Sequence, residues 1–229
     1  MTKNTVVISL GGSLIFPHEI NVDFLKQFKK VIIDYIKKGH KVVLVTGGGS
    51  ICRMYQKAAI KLNESVVSKE LDWMGIKATK VNAELVRIMF GDLAYYKVLD
   101  RPDEKLDEQD KLIIVAGGWK PGASSDNMAV NLAKKFKTKK VINLSNIDYV
   151  YDRDPKKYAD AKKIKLISWS DFLKIVGAKW EPGANLPFDP IASQLAQKLK
   201  LEVVILNGKK LKNLANYLNN QKFIGTKIV

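Results

Sequence analysis

The sequence predicts an α/β fold, a mostly parallel sheet covered by helices on both faces, and three observations predict it. Short apolar, β-branched runs alternate with helical patterns along most of the chain. These runs are apolar nearly throughout, as strands buried on both faces are. Three of them stop at glycines, Gly11, Gly47 and Gly117, each shortly before a helical pattern. Ligands of such sheets sit beyond the carboxyl ends of the strands, so the glycine corners mark the candidate site.

Taken in order, residues 5–10 form a strand ending at Gly11-Gly12. Asn21 can cap a helix in which Phe24, Leu25, Phe28, Ile32, Tyr35 and Ile36 fall on one side, and Gly39 ends it. A second strand, 41–46, runs into Gly47-Gly48-Gly49, followed by a helix over 50–62. Asn63 breaks that pattern. A longer helix is expected over 68–90, with Leu71, Trp73, Met74, Ile76, Leu85 and Met89 as its apolar residues. Residues 94–99 read as a strand, 100–110 as a charged surface connection and 112–116 as a buried strand. Residues 117–126 are a glycine-rich loop ending in helix-capping residues, and the helix beyond carries Met128, Val130, Leu132 and Ala133. A strand covers 141–144, and 148–155 has turn chemistry with Tyr149 and Tyr151 set in it. Ser170 is the expected cap of a short helix ending near Gly177. Asp189-Pro190 starts another, a capping carboxylate followed by proline in the first turn. A strand over 203–206, a helix over 209–218 and a strand over 226–229 complete the pattern. Segment 177–188, with Trp180, Pro182, Gly183 and Pro187, reads as a mobile flap or a partner contact.

With 229 residues the chain can bury a full core, organised as one or two intimately packed lobes. A single cysteine, Cys52, excludes a disulfide framework and a cysteine metal cluster, and two histidines, His18 and His40, suggest no zinc site. The apolar runs are strand-sized and the chain opens directly on a strand, so neither a membrane span nor a targeting segment is expected, and a cytoplasmic protein is. The net charge of +16 suits an anionic substrate or polyanion, or simply a solvated lysine-rich surface. No aromatics alternate with the lysines of the second half in the manner of single-strand binders, so no specific nucleic-acid partner is expected.

The glycine corners carry the chemistry. A strand that ends in glycine leaves backbone N–H groups bare and lets a ligand approach, and the following helix adds its positive dipole end. Such a corner suits phosphate oxygens, and two of them close in sequence suggest a phosphate donor and a phosphate acceptor. Neither G-x-x-x-x-G-K-[ST] nor G-x-G-x-x-G occurs.

The ordered set Ile8-Ser9-Leu10-Gly11-Gly12-Ser13, Gly47-Gly48-Gly49 with Arg53, Gly117-Gly118 ending in Ser124-Ser125-Asp126, Ser145-Asn146-Ile147-Asp148 to Tyr151, and Asp154-Pro155 resembles the amino-acid kinase family. Within that family it is most similar to the uridylate (UMP) kinases of the archaeal type. The resemblance runs nearly end to end. It implies an αβα sandwich forming one domain over 1–229, with an acceptor-binding half (1–125) and an ATP-binding half (126–229). It also implies transfer of the γ-phosphoryl group of ATP to UMP with Mg²⁺, and a homohexamer. Position by position, Gly11, Gly12 and Ser13 match the loop that meets the ATP phosphates. Gly48 matches an acceptor contact, and Gly49 and Arg53 match contacts to the phosphates in flight. Asp72 matches the acidic residue used on the nucleoside monophosphate, and Trp119, Lys120, Pro121, Gly122, Ala123, Ser124 and Ser125 match the loop wrapped around UMP. Ser145, Asn146, Tyr151 and Asp154 match the adenine-nucleotide side, and Asp126 and Asp189 stand near the reacting centre. No residue is assigned to a metal directly.

Phosphoryl transfer needs in-line placement and charge neutralisation more than covalent chemistry, which suits backbone N–H groups, one or two cations and Mg²⁺. Arg53, one turn into the helix after Gly49, offers a planar fork for two phosphate oxygens. Other readings stand beside these: Asp189 as a plain helix cap, Asp72 as a solvated helix residue, Tyr149 and Tyr151 as core aromatics. Trp119 fits a core role less well, since loops run over the surface. One departure matters. Many family members carry lysine two residues before the first glycine, where this chain has Ser9. Arg53 is the first candidate to supply the missing cation and Lys120 the second, with Lys163 and Lys165 behind them. The alternatives in function are a sister kinase acting on isopentenyl phosphate or acetylglutamate, and a non-catalytic nucleotide-binding storage or regulatory relative.

Overall fold

Strands β1 (Thr5–Leu10) and β2 (Lys41–Thr46) are almost wholly apolar, and both vanish into the interior except at their first residues. Alternate side chains serve opposite faces. Val6, Ile8 and Leu10 join one apolar cluster and Val7 the other; Val42 and Leu44 likewise part from Val43 and Val45. A computed structural model describes residues 4–107, 111–155, 157–177 and 186–229. Between β1 and β2 lie the four-residue helix α1 (Gly12–Ile15) and helix α2 (Val22–Ile36), which is capped by Asn21 accepting from the Phe24 N–H. After β2 come α3 (Gly49–Leu62), α4 (Ser68–Phe90) and β3 (Ile113–Ala116). Helix α5 (Ser125–Lys135) leads into β4 (Lys140–Ser145), and the short strands β5 (Val150–Tyr151) and β6 (Lys163–Ile164) pair with each other. Then follow β7 (Leu166–Ile167), α6 (Trp169–Val176), α7 (Pro190–Lys198), β8 (Glu202–Asn207), α8 (Leu211–Leu218) and β9 (Thr226–Ile228).

The main sheet runs in the order β3-β2-β1-β4-β8-β9-β7. It is parallel except where β9 runs antiparallel to β8. Helices α2 and α8 and the second half of α4 cover one face, and α5, α6 and α7 the other. This is the expected three-layer αβα sandwich. From β1 the chain steps outward to β2 and β3, then returns to the opposite side of β1 for β4 and β8. The direction reverses between β1 and β4, so the carboxyl ends of these two strands form the topological switch point where crevices open in such sheets.

Four expectations need correction. Residues 94–99 make no strand: Ala94 and Leu99 form single bridges to Ile113 and Ala116, and the segment arcs past the edge of β3 while Tyr95 buries its ring. Helix α6 is capped by Ser168, not Ser170, because the Ser168 hydroxyl accepts from the Asp171 N–H at 3.1 Å. The last helix starts at Leu211, with Lys210 as its first flanking residue. The tyrosine-bearing turn at 148–155 contains β5, whose Val150 N–H donates to the Thr226 hydroxyl and so ties the small hairpin to β9. Trp180, Pro182 and Gly183 lie outside the described residues. Of the flap segment, Phe188 is fully buried.

Candidate active site

The first two glycine corners touch each other. Parallel pairing places Leu10 beside Thr46, and the chain beyond each strand turns against the other. A Cβ on Gly12 would stand 2.5 Å from the Gly47 carbonyl carbon and closer still to the Gly49 nitrogen. Gly49 adopts φ +71°, a left-handed conformation, and a Cβ there would stand 2.5 Å from the Gly12 carbonyl oxygen. The glycines thus allow two backbones to pack without side chains between them. The N–H groups of Gly12, Gly48 and Gly49 have no hydrogen-bond partner among the described residues. Arg53, exposed on α3, makes no ion pair among them either. Unpaired donors therefore gather at one corner, and Arg53 lies one turn along the helix that leaves it.

The third corner is built differently. Gly117 and Gly118 are buried against α4, where a Cβ would meet Lys80 at 2.9 Å and Thr79 at 3.0 Å. Their glycines serve helix packing. The Gly118 N–H donates to the Thr79 hydroxyl at 2.6 Å. Further along the loop, the Gly122 N–H donates to the Asp72 carboxylate at 2.8 Å. Asp72 and the 119–125 loop, matched separately to the acceptor, are therefore physically joined. Trp119 lies partly buried against the cluster on the α5 face, with the Lys120 ammonium 4.3 Å from its ring centre. By sequence Trp119 fits a core role less well; the structure half-buries its ring, in a loop whose Lys120 and Gly122 stay exposed and which α4 holds at two points. Ser124 spends its hydroxyl accepting from the Asn127 N–H as the cap of α5, beside Ser125 at the first helical position.

A polar knot lies at the switch point. Asp126, from the first turn of α5, accepts from the Ser9 hydroxyl at 3.1 Å and from the Asp189 N–H at 3.2 Å. The Asn143 amide approaches the same carboxylate at 3.4 Å and donates to the Pro187 carbonyl at 3.3 Å. Burial, and after it the neighbouring Asp189 charge, pushes Asp126 from the usual carboxylate range up to about 7. Asp189 caps α7 through the Ala192 N–H at 2.7 Å, so its structural role as a helix start is real and it also faces Asp126. Ser9 occupies the β1 position beneath Asp126. On the far side of β1, Ser145 ends β4 beside Asn207, and its carbonyl accepts from the Gly208 N–H at 2.8 Å. Asn146 is exposed, and Lys210 grips Asp148 at 2.7 Å, holding that carboxyl below its ordinary range. Tyr151 on β5 is half-buried and Asp154 is exposed beyond it. Lys163 stands over the Tyr149 ring at 5.5 Å.

Three polar residues of this neighbourhood escape a sequence reading. Asn82 and Thr79 lie on the buried side of α4, and Asn143 sits inside an apolar strand. Their signal is a polar side chain at a position that periodicity assigns to the core.

The profile of the amino acid kinase family matches residues 4–207. The chain belongs to that family. Its relatives include a protein called uridylate kinase from Methanobrevibacter smithii, 33% identical over 226 residues that make up 98% of each chain. Among solved structures, the uridylate kinase of Archaeoglobus fulgidus superposes with a TM-score of 0.84 at 30% identity, over 98% of this chain and 99% of that one. The UMP kinase of Bacillus anthracis shares the fold at a TM-score of 0.79 and 18% identity, over 98% and 95%. Among the described residues no helix is long and apolar enough to cross a membrane.

Proposed function

We propose that this amino acid kinase transfers the γ-phosphoryl group of ATP to UMP. The bond from the γ-phosphorus to its bridging oxygen breaks, a UMP phosphate oxygen forms the new bond, and ADP and UDP leave. One observation carries the reading: unpaired N–H groups of Gly12, Gly48 and Gly49 gather at the end of the sheet where β1 meets β2, with Arg53 one turn along the helix that starts at Gly49. The relatives named for uridylate support the choice of acceptor. In this reading residues 1–125 hold UMP, through Gly48, Asp72 and the 119–125 loop, and 126–229 hold ATP, through Ser145, Asn146, Tyr151 and Asp154. Gly11, Gly12, Ser13 and Gly49 meet the phosphates between them. Mg²⁺ belongs to the proposal as a companion of ATP, supplying charge neutralisation on the phosphates. Asp126 and Asp189, joined through the Asp189 N–H, are the carboxylates proposed to stand near the ion. The same proposal places the protein in the cytoplasm, in pyrimidine nucleotide synthesis.

A phosphotransfer assay across UMP, CMP, acetylglutamate and isopentenyl phosphate tests it. UDP formation is expected, and turnover only of another acceptor overturns the substrate. ATP binding without turnover of any acceptor would mark a non-catalytic relative. Two variants refine the roles. Arg53→Lys keeps the charge but loses the planar fork, so kcat is expected to fall roughly tenfold with little change in thermal stability. Asp72→Ala frees the loop at Gly122, so the KM for UMP is expected to rise about tenfold while that for ATP stays within about twofold. Initial-rate kinetics in both substrates check both.

The homohexamer is likewise proposed. Of the 14 residues of α3 only Gly49 is buried; Met54, Tyr55 and Leu62 stand exposed on it, as do Trp73 and Val81 on the neighbouring α4. Exposed apolar side chains on two neighbouring helices suit association with further copies of the chain. Sedimentation equilibrium should find no monomer at micromolar concentration, and a monomer would overturn the assembly.

A further inference from the structure

Asn82 sits inside α4 with only 4% of its surface exposed, between Ala78, Ala83 and Val86 of the core. Asparagine is a poor interior helix residue, and burying its amide is unfavourable unless both ends find partners. Its partners are not in its own helix. The side-chain nitrogen donates to the Gly47 carbonyl at 2.8 Å and to the Gly48 carbonyl at 3.2 Å. The amide can face only one way, because turning it over would press its oxygen against two carbonyl oxygens. Two consecutive peptide groups of the second glycine corner are thus gripped by one side chain.

That grip has a directional consequence. In a trans peptide the carbonyl of one residue and the N–H of the next point in opposite directions. Holding the Gly47 and Gly48 carbonyls toward α4 therefore turns the Gly48 and Gly49 N–H groups away from it, and these are two of the bare donors of the site. Glycine has no side chain to hold such a turn, and its backbone is the most permissive of any residue. Two further bonds from the same helix hold the third corner: Thr79 accepts from Gly118 and Asp72 from Gly122. The Thr79 carbonyl also accepts from the Thr46 hydroxyl at the end of β2.

We propose that Asn82 is a positioning residue for phosphoryl transfer, which aims the Gly48 N–H at the acceptor's phosphate and the Gly49 N–H at the group in transfer by fixing the two carbonyls behind them. The proposal rests on the phosphotransferase reading above. It assigns Asn82 no contact with substrate.

The test is Asn82→Asp, an isosteric change that sets a carboxylate against the two carbonyls, with Asn82→Leu as a second variant that keeps the branching, adds bulk and removes both bonds. In folded variant protein, kcat for UDP formation is expected to fall roughly 10- to 100-fold, while the KM for ATP stays within about threefold. The Gly48 and Gly49 amide resonances of isotopically labelled protein should move in the same samples, and their response to added inorganic phosphate should weaken. A folded variant with kcat within about twofold of the parent, or with unmoved glycine resonances, overturns the proposal. The parent protein supplies a measurement free of any folding defect. Its Asn82 side-chain protons are expected to exchange slowly with solvent, and exchange as fast as that of an exposed asparagine would overturn the grip. Should the parent make no UDP from UMP, the functional reading fails instead, and the phosphate response of the glycine amides still judges Asn82.

Discussion

Gly12→Ala is expected to abolish phosphoryl transfer and to destabilise the fold by about 3 kcal/mol or more. The reason is geometric. The new methyl group would lie within 2.6 Å of the Gly47 carbonyl oxygen and nearer still to the Gly49 nitrogen. Neither neighbour is the end of a flexible side chain. Both belong to backbone held by the parallel pairing of β1 with β2, so relief requires the two strand ends to part. Parting them also moves the N–H groups that are proposed to meet phosphate, which is why activity and stability should fail together. A control separates this from a general intolerance of glycine replacement. Gly39 adopts φ +85°, and a methyl group added there would find nothing within 4 Å, so Gly39→Ala should cost only about 1 kcal/mol and leave kcat unchanged. Calorimetry and a UDP assay on the two variants check the contrast; a soluble, active Gly12→Ala protein would show that the corners do not touch in solution.

The parts of the fold that were legible in the sequence are those where one physical signal acts alone. Apolar, β-branched runs gave β1, β2, β3, β4 and β8 to within a residue or two, because strands buried on both faces tolerate little else. Asn21 and Asp189 marked the starts of α2 and α7 because a capping side chain is a local device. The failures occur where tertiary contacts decide. Residues 94–99 have strand composition, yet the edge of β3 takes only single bridges from them. Trp119 fits a core role less well because loops usually run over the surface, and nothing local announces that Thr79 and Asp72 will hold its loop to α4 with the ring half-buried.

The same division holds at the site. Gly12 and Gly49 announce themselves by spacing, and the structure brings them together. Gly117 and Gly118 announce themselves equally, but they make room for α4. A glycine after a strand records only that a Cβ is unwelcome; whether backbone, helix or ligand excludes it is settled by the neighbours. Ser9 shows the converse. At the position where many family members carry lysine, this chain places a small hydroxyl that donates to Asp126. No cation among the described residues pairs with that carboxylate, and burial together with the Asp189 charge raises its proton affinity.

That rise gives Asp126→Asn an unusual expected outcome: a protein that is inactive yet more stable at about pH 8. Burial and the Asp189 charge raise the Asp126 carboxyl to about 7 from its ordinary 3.8. Between those two values the folded protein keeps a proton that the unfolded chain has released. The native state then binds more protons, so stability falls as pH rises through this window. Above it the carboxylate is ionised in both states and the full penalty stands, at most about 4 kcal/mol for a shift of this size. Asparagine removes the charge, but one of its orientations sets an N–H against the Asp189 N–H and the other against the Ser9 and Asn143 donors. A net gain of about 1–2 kcal/mol is therefore expected above neutral pH. It should shrink steadily as the pH falls below about 7 and reverse between about pH 5 and pH 6, where the remaining penalty, about 1.4 kcal/mol for each pH unit above 3.8, no longer outweighs the parent's better bonds. Melting curves of both proteins at about one-unit steps from pH 5 to pH 8 read this directly. In the same window the parent's kcat is expected to climb as Asp126 ionises, and the variant's to stay low and flat. A stability gap that does not change with pH would mean that Asp126 titrates as an ordinary carboxylate, and that the polar knot at the switch point is wetter than its geometry indicates.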